Sequence, residues 1–323
     1  MKPPFTINPN VYRLSAEIMT KIGEFKGQKI VDVDPHLRKI NQVRTIYSTC
    51  AIEGNMLSEN EVTALIENKR VVAPKRQIKE IRNALTMYAE KSHLKYDQEK
   101  DLLFAHKILM QGLLDKPGEY RNAKVAVVKD NEIVHLAPPP ARVGRLMQDL
   151  FLWVQGDQDT HLLIKSAVFH FEYELIHPFE DGNGRIGRFW QHLMLVALHP
   201  IFRSVPVENI VHQNQQEYYA ALKAGQKEGE ATPFLEFSLF TILKAIELVD
   251  DEMGKGSRVT VEQRLQSFVE ANPTRGMFSR KDYIQFFGSI SPVVASRDLA
   301  EGVKKGIFQK SGDKNTTKYK IAK

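Results

Sequence analysis

The sequence predicts a mainly α-helical protein with one inserted β-hairpin and a C-terminal module of three helices and a second hairpin. Three observations predict it. Apolar residues recur at helical spacing over most of the chain. One Val-rich segment, Lys124 to His135, breaks that pattern around a turn at Asp130-Asn131. Beyond Asp250 a charged, Gly-containing stretch leads into a short compact unit.

Each element has a local reason. Leu37, Ile40, Val43, Ile46 and Tyr47 lie on one helical face, and Leu102 to Leu113 continues the same period. Pro138-Pro139-Pro140 stops the second arm of the Val-rich hairpin. Leu162 to Ile176 and Ile186 to Leu198 are consecutive apolar helices, and Leu235 to Val249 is another. Asp250 to Ser257 reads as a linker. Val259 to Ala271 is helical, and Ser279 caps a helix to Phe287. Ser291 followed by Pro292 is an N-cap and a first-turn proline, opening a third helix to about Lys305. Gly306 to Gln309 and Lys318 to Ile321 are strands. Three helices and a hairpin make a winged-helix-like domain, similar to helix-turn-helix folds. The expected organisation is an N-terminal helical region over 1–100, a core over 101–250 and the winged-helix-like domain over 251–323.

Composition narrows the function classes. With 323 residues, 42% hydrophobic and 26% charged, the chain is neither disordered nor fibrous. Its net charge of +6 is uneven. From Lys255 onward there are 14 basic and six acidic residues, a balance of +8, so the rest carries −2. The single cysteine, Cys50, excludes an intrachain disulfide framework and suits a reducing compartment. No apolar signal core follows Lys2. The longest apolar stretch, Leu193 to Leu198, is bounded by His192 and His199 and is too short to span a bilayer. A cytoplasmic protein with no membrane partner is expected.

The chemistry concentrates in His177-Pro-Phe-Glu-Asp-Gly-Asn-Gly-Arg-Ile-Gly-Arg188. Pro178 ends the preceding helix, so His177 stands at a loop start. Gly182, Asn183 and Gly184 then enter a new helix. Glycines let successive N–H groups face one concavity, and the helix N-terminus adds positive dipole, which makes a phosphate cradle. Arg185 and Arg188 are three apart and share a helix face that can meet an anion. Asp181 stands before the cradle, where a carboxylate holds Mg²⁺ against bound phosphates. A base, a metal ligand, an anion nest and two guanidiniums suit phosphoryl or nucleotidyl transfer, in which positioning and charge stabilisation do most of the catalysis.

This segment resembles the Fic (Fido) family signature, His-x-Phe-x-(Asp/Glu)-Gly-Asn-Gly-Arg-x-x-Arg, at every defined position. Ala167 to Ile176 looks like the helix that leads into that motif. Pro117-Gly-Glu-Tyr-Arg121 and the Val-rich hairpin look like the family's flap. The resemblance covers about Asn41 to Glu247 and implies a Fic-type helical core with a β-hairpin flap. It implies transfer of AMP from ATP to a Ser, Thr or Tyr hydroxyl of a protein, the enzyme itself included, with release of pyrophosphate.

Carried over by resemblance, His177 is the general base and Asp181 the Mg²⁺ ligand. Gly182, Asn183, Gly184, Arg185, Ile186, Gly187 and Arg188 form the nucleotide-binding stretch. Phe179 is the buried anchor of the loop. Tyr218 and Tyr219 lie on the adenine-side helix, where Gln226 replaces the Asn frequent in relatives. Val125, Ala126, Val127 and Val128 would align a target backbone by strand addition. A homodimer is also implied.

A second pattern, Thr49-Cys-Ala-Ile-Glu53-Gly54, resembles the family's inhibitory motif (Ser/Thr)-x-x-x-Glu-(Gly/Asn). Thr49 and Glu53 are four apart on one helix face. Glu53 is expected to pair bidentately with Arg188 and to occupy the space of the γ-phosphate.

Two other readings follow from the same residues. The site would remove AMP, or transfer another phosphate-containing group. Alternatively, the chain is a nucleotide-sensing DNA-binding regulator, with Arg297, Lys304 and Lys305 near the third helix and Lys310, Lys314, Lys318 and Lys320 near the wing. Asp298 and Glu301 stud that same helix. His170, Cys50, Met87, Met110, Met147 and Met194 are read as core residues.

Overall fold

The computed structural model describes residues 2–27, 35–123, 126–129, 132–254, 260–273, 276–287, 290–313 and 317–322. In chain order the helices are α1 (Pro9–Gly27), α2 (Pro35–Ala51), α3 (Glu59–Ile66), α4 (Lys75–Glu90) and α5 (Glu99–Leu109). The strands β1 (Ala126–Lys129) and β2 (Glu132–Leu136) follow. Then come α6 (Pro140–Gly156), α7 (Leu162–Ile176), α8 (Asn183–Leu198), α9 (Val207–Gln213), α10 (Gln215–Glu228) and α11 (Thr232–Gly254). The chain ends with α12 (Val261–Ala271), α13 (Arg280–Phe287), α14 (Pro292–Lys304), β3 (Phe308–Ser311) and β4 (Lys318–Ile321). The mainly helical expectation holds.

The chain divides into two compact units. One comprises Met1–Gly23 and Gln42–Leu248, the other Glu24–Asn41 and Val249–Lys323. No helix among the described residues is long and apolar enough to cross a membrane.

The first unit is organised around α7 and α8. Both helices are buried on nearly every side, which an ordinary amphipathic surface helix is not. Ala167, Val168, Phe169 and Phe171 of α7 and Ile186, Phe189, Trp190 and Met194 of α8 have at most 1% exposure. Burying each of the larger apolar side chains among them contributes about 1.5–3 kcal/mol. Met87, Met110, Met147 and Cys50 also sit in this core, as their sequence context predicts. Elsewhere local chemistry sets the ends: Ser58 and Glu61 close a reciprocal capping box on α3. β1 and β2 pair antiparallel, with a register irregularity between Val127 and Val128. Val125, Lys124, Asp130 and Asn131 lie outside the described residues.

The second unit has its own core of Leu265, Phe268, Phe278, Tyr283, Phe287, Ala295, Leu299 and Phe308. Thr260 and Gln263 cap α12 reciprocally, and Ser291 caps α14 by accepting from the Val294 amide. β3 and β4 pair antiparallel, and Phe278 exchanges two 2.8 Å backbone hydrogen bonds with Tyr319. Arg264 reaches the fully buried Asp298 through Nε (2.5 Å) and Nη2 (2.8 Å), a bidentate pair between α12 and α14.

Two boundaries differ from expectation. The stretch Asp250 to Gly254 belongs to α11 instead of starting a linker. Asp250, Asp251 and Glu252 are compatible with a helix, and no proline intervenes before the glycines. Residues 255–259 lie outside the described residues. Helix α5 stops at Leu109, before Leu113, because the chain turns through Gly112 at φ +68°.

Candidate active site

Pro178 cannot continue a helix, so α7 terminates on His177 in the left-handed region, at φ 48° and ψ 61°. Its amide still donates to the Tyr173 carbonyl at 2.9 Å. This conformation is uncommon for a non-glycine residue and is held by specific contacts. Arg121 Nε donates to the His177 carbonyl at 2.7 Å, and its Nη2 donates to the carbonyls of Ile176 (3.3 Å) and Pro138 (2.7 Å). One buried guanidinium thus satisfies carbonyls that the end of α7 leaves open.

The loop after His177 is closed by Asn183. Its Oδ1 accepts from the Phe179 amide and its Nδ2 donates to the Phe179 carbonyl, both at 2.9 Å. The Asn183 amide group is therefore committed to the loop, and any cradle contact falls to its backbone N–H. Phe179 is fully buried, as expected of an anchor, and stacks on His106 with centroids 3.6 Å apart. His106 Nδ1 accepts from the Gly118 amide at 2.8 Å, so Nε2 carries the proton given to the Asp181 carbonyl at 3.0 Å.

A neutral His106 is required by this arrangement, and burial pushes its pKa down to about 4. The unfolded chain then binds a proton near pH 6.5 that the folded loop refuses until about pH 4. The stability this neutral ring contributes is complete above pH 6.5 and is lost as pH falls toward 4. We expect the chain's melting temperature to drop across that window, and His106→Gln to flatten the drop. An equal pH dependence in both forms would contradict this role.

Beyond the loop, Gly182 takes φ +84°, and a Cβ there would meet Met110 Sδ at 2.8 Å. The first turn of α8 presents N–H groups that no carbonyl of the helix can reach, an anion-binding geometry. At Gly184 a Cβ would collide with the Glu53 carboxylate. The glycine leaves the cradle open, and Glu53 stands in that opening.

Arg188 is buried and splits its fork. Nε donates to Thr49 Oγ1 at 3.1 Å, and Nη2 donates to the Thr49 carbonyl at 3.0 Å and to Glu53 Oε1 at 2.7 Å. The expected bidentate Glu53–Arg188 pair is therefore a single ion-paired hydrogen bond, because Thr49 takes the rest of that side. Nη1 is buried and makes no hydrogen bond among the described residues. Burial alone would pull the guanidinium pKa down, but the Glu53 charge, with Tyr218 and Glu174, outweighs it and raises it. Glu53 lies in the turn just after α2, not within the helix, and Gly54 at φ +85° follows it.

Arg185 turns the other way. Its Nη2 donates to Asp181 Oδ1 at 3.1 Å. The Asp181 carboxylate also accepts from the Gly182 amide at 2.6 Å and from Arg76 at 3.4 Å. It remains 40% exposed at the cradle's lip. One half-exposed carboxylate beside an anion cradle fits Mg²⁺, which keeps several waters and is held by one or two carboxylates plus substrate phosphates.

A cavity of about 130 Å³ joins His177, Gly184, Arg188, Glu53, Tyr218 and Tyr219. Drug-sized ligand sites start near ~300 Å³, so with Glu53 in place the space is tight. Tyr218 is both a core and a cavity residue: it is 2% exposed, and its hydroxyl lies 3.2 Å from His170 Nε2. Ile186 points fully into the core, and Gly187 packs against Glu174 and His170, so these two give the site backbone only. His170 is a satisfied core histidine, with Nδ1 2.7 Å from Gln191 Oε1. Ala126, Val127 and Val128 lie on the hairpin strand β1.

Sequence reasoning missed four residues: His106, Arg121, Arg76 and Glu174. Glu174 lines the cavity. Burial raises its pKa, yet His170, His177 and Arg188 together hold it below the usual carboxylate range. Its spacing of four from His170 and three from His177 was the available signal.

The family model described as Fic/DOC family matches residues 96–195. The chain is similar to the crystal structure of a Fic family protein from Desulfovibrio desulfuricans G20. The two are 35% identical with a TM-score of 0.75, and the match covers 100% of this chain and 98% of that one. Its fold is also similar to Fic-1 from C. elegans, at 21% identity and a TM-score of 0.63, over 76% and 73% of the two chains. Among curated proteins it is similar to Protein adenylyltransferase Fic of Culex quinquefasciatus, 28% identical over 60% of this chain and 39% of that protein. The protein of the same name from Nematostella vectensis is 26% identical over 71% and 55%. The chain thus spans about two fifths to just over half of these relatives' lengths.

Proposed function

The chain belongs to the Fic/DOC family, and we propose that it is a protein adenylyltransferase held shut by its own Glu53. It transfers AMP from ATP to a hydroxyl of a protein. The observation that carries this reading is the meeting of His177, the Gly184 cradle and Arg188 in one cavity, with Glu53 on Arg188 at 2.7 Å. The adenylyltransferase names of the similar proteins support it.

In this reaction the target's Ser, Thr or Tyr oxygen attacks the α-phosphorus of ATP. His177 takes the hydroxyl proton, the new P–O bond forms, and the bond to the β-phosphate oxygen breaks to release pyrophosphate. The α8 first-turn amides and the free Nη1 of Arg188 face the charge on the phosphates. Asp181 would hold Mg²⁺, which would neutralise phosphate charge there. Arg185 orients Asp181, and Arg121 with Asn183 keeps His177 in its left-handed position. Tyr218 and Tyr219 wall the base side, and β1 offers its edge to the target's backbone. The single buried thiol suits a reducing compartment, and the cytoplasm is the proposed location.

Glu53 blocks this sequence by standing where a γ-phosphate would meet Arg188. Mass spectrometry of the protein after incubation with ATP and Mg²⁺ tests the reaction class. A gain of one adenylate on a hydroxyl side chain is expected, strongest when Glu53 is replaced. A gain of phosphate alone would place the chemistry elsewhere in the family.

A further inference from the structure

The second compact unit carries a basic cleft for which the nucleotide site has no use. The start of α13, the first turns of α14 and the strand β4 enclose an open cleft of about 670 Å³. It is lined by the cations Arg280, Lys281 and Lys318 and the hydroxyls of Ser279, Ser296 and Thr317, with no acid in its wall. Arg280 Nη1 donates to Ser296 Oγ at 3.0 Å, which fixes it across the cleft. None of the three cations is in an ion pair among the described residues.

The far end of α14 is different. Lys305 pairs with Glu262 and Glu301, and Lys304 lies 3.9 Å from Glu301. Asp298, which the sequence places on the same helix, is turned inward onto Arg264 and is fully buried. The acids that interrupt the helix in sequence are therefore paired or hidden, and the N-terminal half of α14 presents Val293, Ser296 and Arg297. Val293 is 79% exposed, too open for a packing role. Lys318 and Lys320 lie on one face of β4, since side chains two apart in a strand point the same way.

We propose that this cleft binds double-stranded DNA, with the exposed edge of α14 in the major groove and Arg280, Lys281, Lys318 and Lys320 on flanking phosphates. Cations from α13 and β4 gathered beside the first turns of α14 put positive charge where a phosphate row runs along a helix seated in the groove. Val293 offers an apolar contact for a thymine methyl and Arg297 a fork for a guanine edge.

Binding of a fluorescent random-sequence duplex to the full chain, read by anisotropy, tests this. Four phosphate contacts predict a log–log salt slope of about −4 between about 50 and 200 mM salt. Lys281→Glu with Lys318→Glu, both exposed, is expected to weaken binding at least about tenfold and to reduce the slope by about two. Arg70→Glu with Lys116→Glu makes the same charge change at exposed positions that do not line the cleft and is expected to alter binding less than about twofold. Unchanged melting temperatures confirm intact folds. The proposal is overturned by no binding at low salt, by equal losses in both double variants, or by poly-glutamate binding as tightly as the duplex.

Discussion

Replacing Glu53 with glycine is expected to raise the initial rate of adenylate transfer by about 10- to 100-fold. The magnitude comes from the contact removed. A hydrogen bond between charged partners contributes about 1.5–3 kcal/mol, and every 1.4 kcal/mol is tenfold in an equilibrium. On the proposed reading, that energy keeps Arg188 and the mouth of the cradle in the closed arrangement. Without the carboxylate, Arg188 keeps its two hydrogen bonds to Thr49 and stays oriented. The side chain of Glu53 is 33% exposed, so its loss opens no core cavity. Glu53→Gln separates charge from bulk: it keeps the obstruction and loses the ion pair, so its rate should fall between the two. Initial rates of label transfer from [α-³²P]ATP measure all three, and equal labelling in wild type and Glu53→Gly would remove Glu53 from the account.

In the Glu53→Gly background, His177→Ala is expected to lower transfer by about 10²–10⁴-fold, the usual contribution of a positioned general base. Nucleotide binding should survive, because His177 is held through its backbone by Tyr173 and Arg121 and the α8 amides do not depend on its ring. The split matters: lost transfer with retained ATP affinity marks proton transfer, whereas loss of both would mark collapse of the loop. Transfer persisting at the Glu53→Gly level would assign the base elsewhere, with Glu174 the carboxylate that remains in the wall of the same cavity.

How much of this was legible in the sequence depends on whether a feature is local. The end of α7 at His177, the start of α8 after Gly182 and the Ser291–Pro292 opening of α14 are each set by neighbouring residues, and spacing reads them directly. The contact of Glu53 with Arg188 spans 135 positions. Only a recognised motif linked them, and that link could not foresee Thr49 taking half of the guanidinium. His106 carries no signal of its own, and Arg121 stands out only as the end of the Pro117–Arg121 flap segment, because the value of each lies in distant carbonyls and amides. A histidine in an apolar helix and an arginine after a turn carry no pattern of their own. In the second unit the count of basic residues was right but their availability was not: Lys304 and Lys305 are paired, while Arg280 and Lys281 line the cleft.

Glu53 is proposed to hold the place of the γ-phosphate on Arg188. Calorimetric dissociation constants for ATP and for AMP, in wild type and in Glu53→Gly, separate that role from a merely structural one. AMP has no γ-phosphate and does not compete with the carboxylate. Glu53→Gly is expected to tighten ATP binding by at least about tenfold, matching the charged hydrogen bond released, and to leave AMP binding unchanged. ATP and AMP affinities that rise together, or an ATP affinity that does not move, would contradict it.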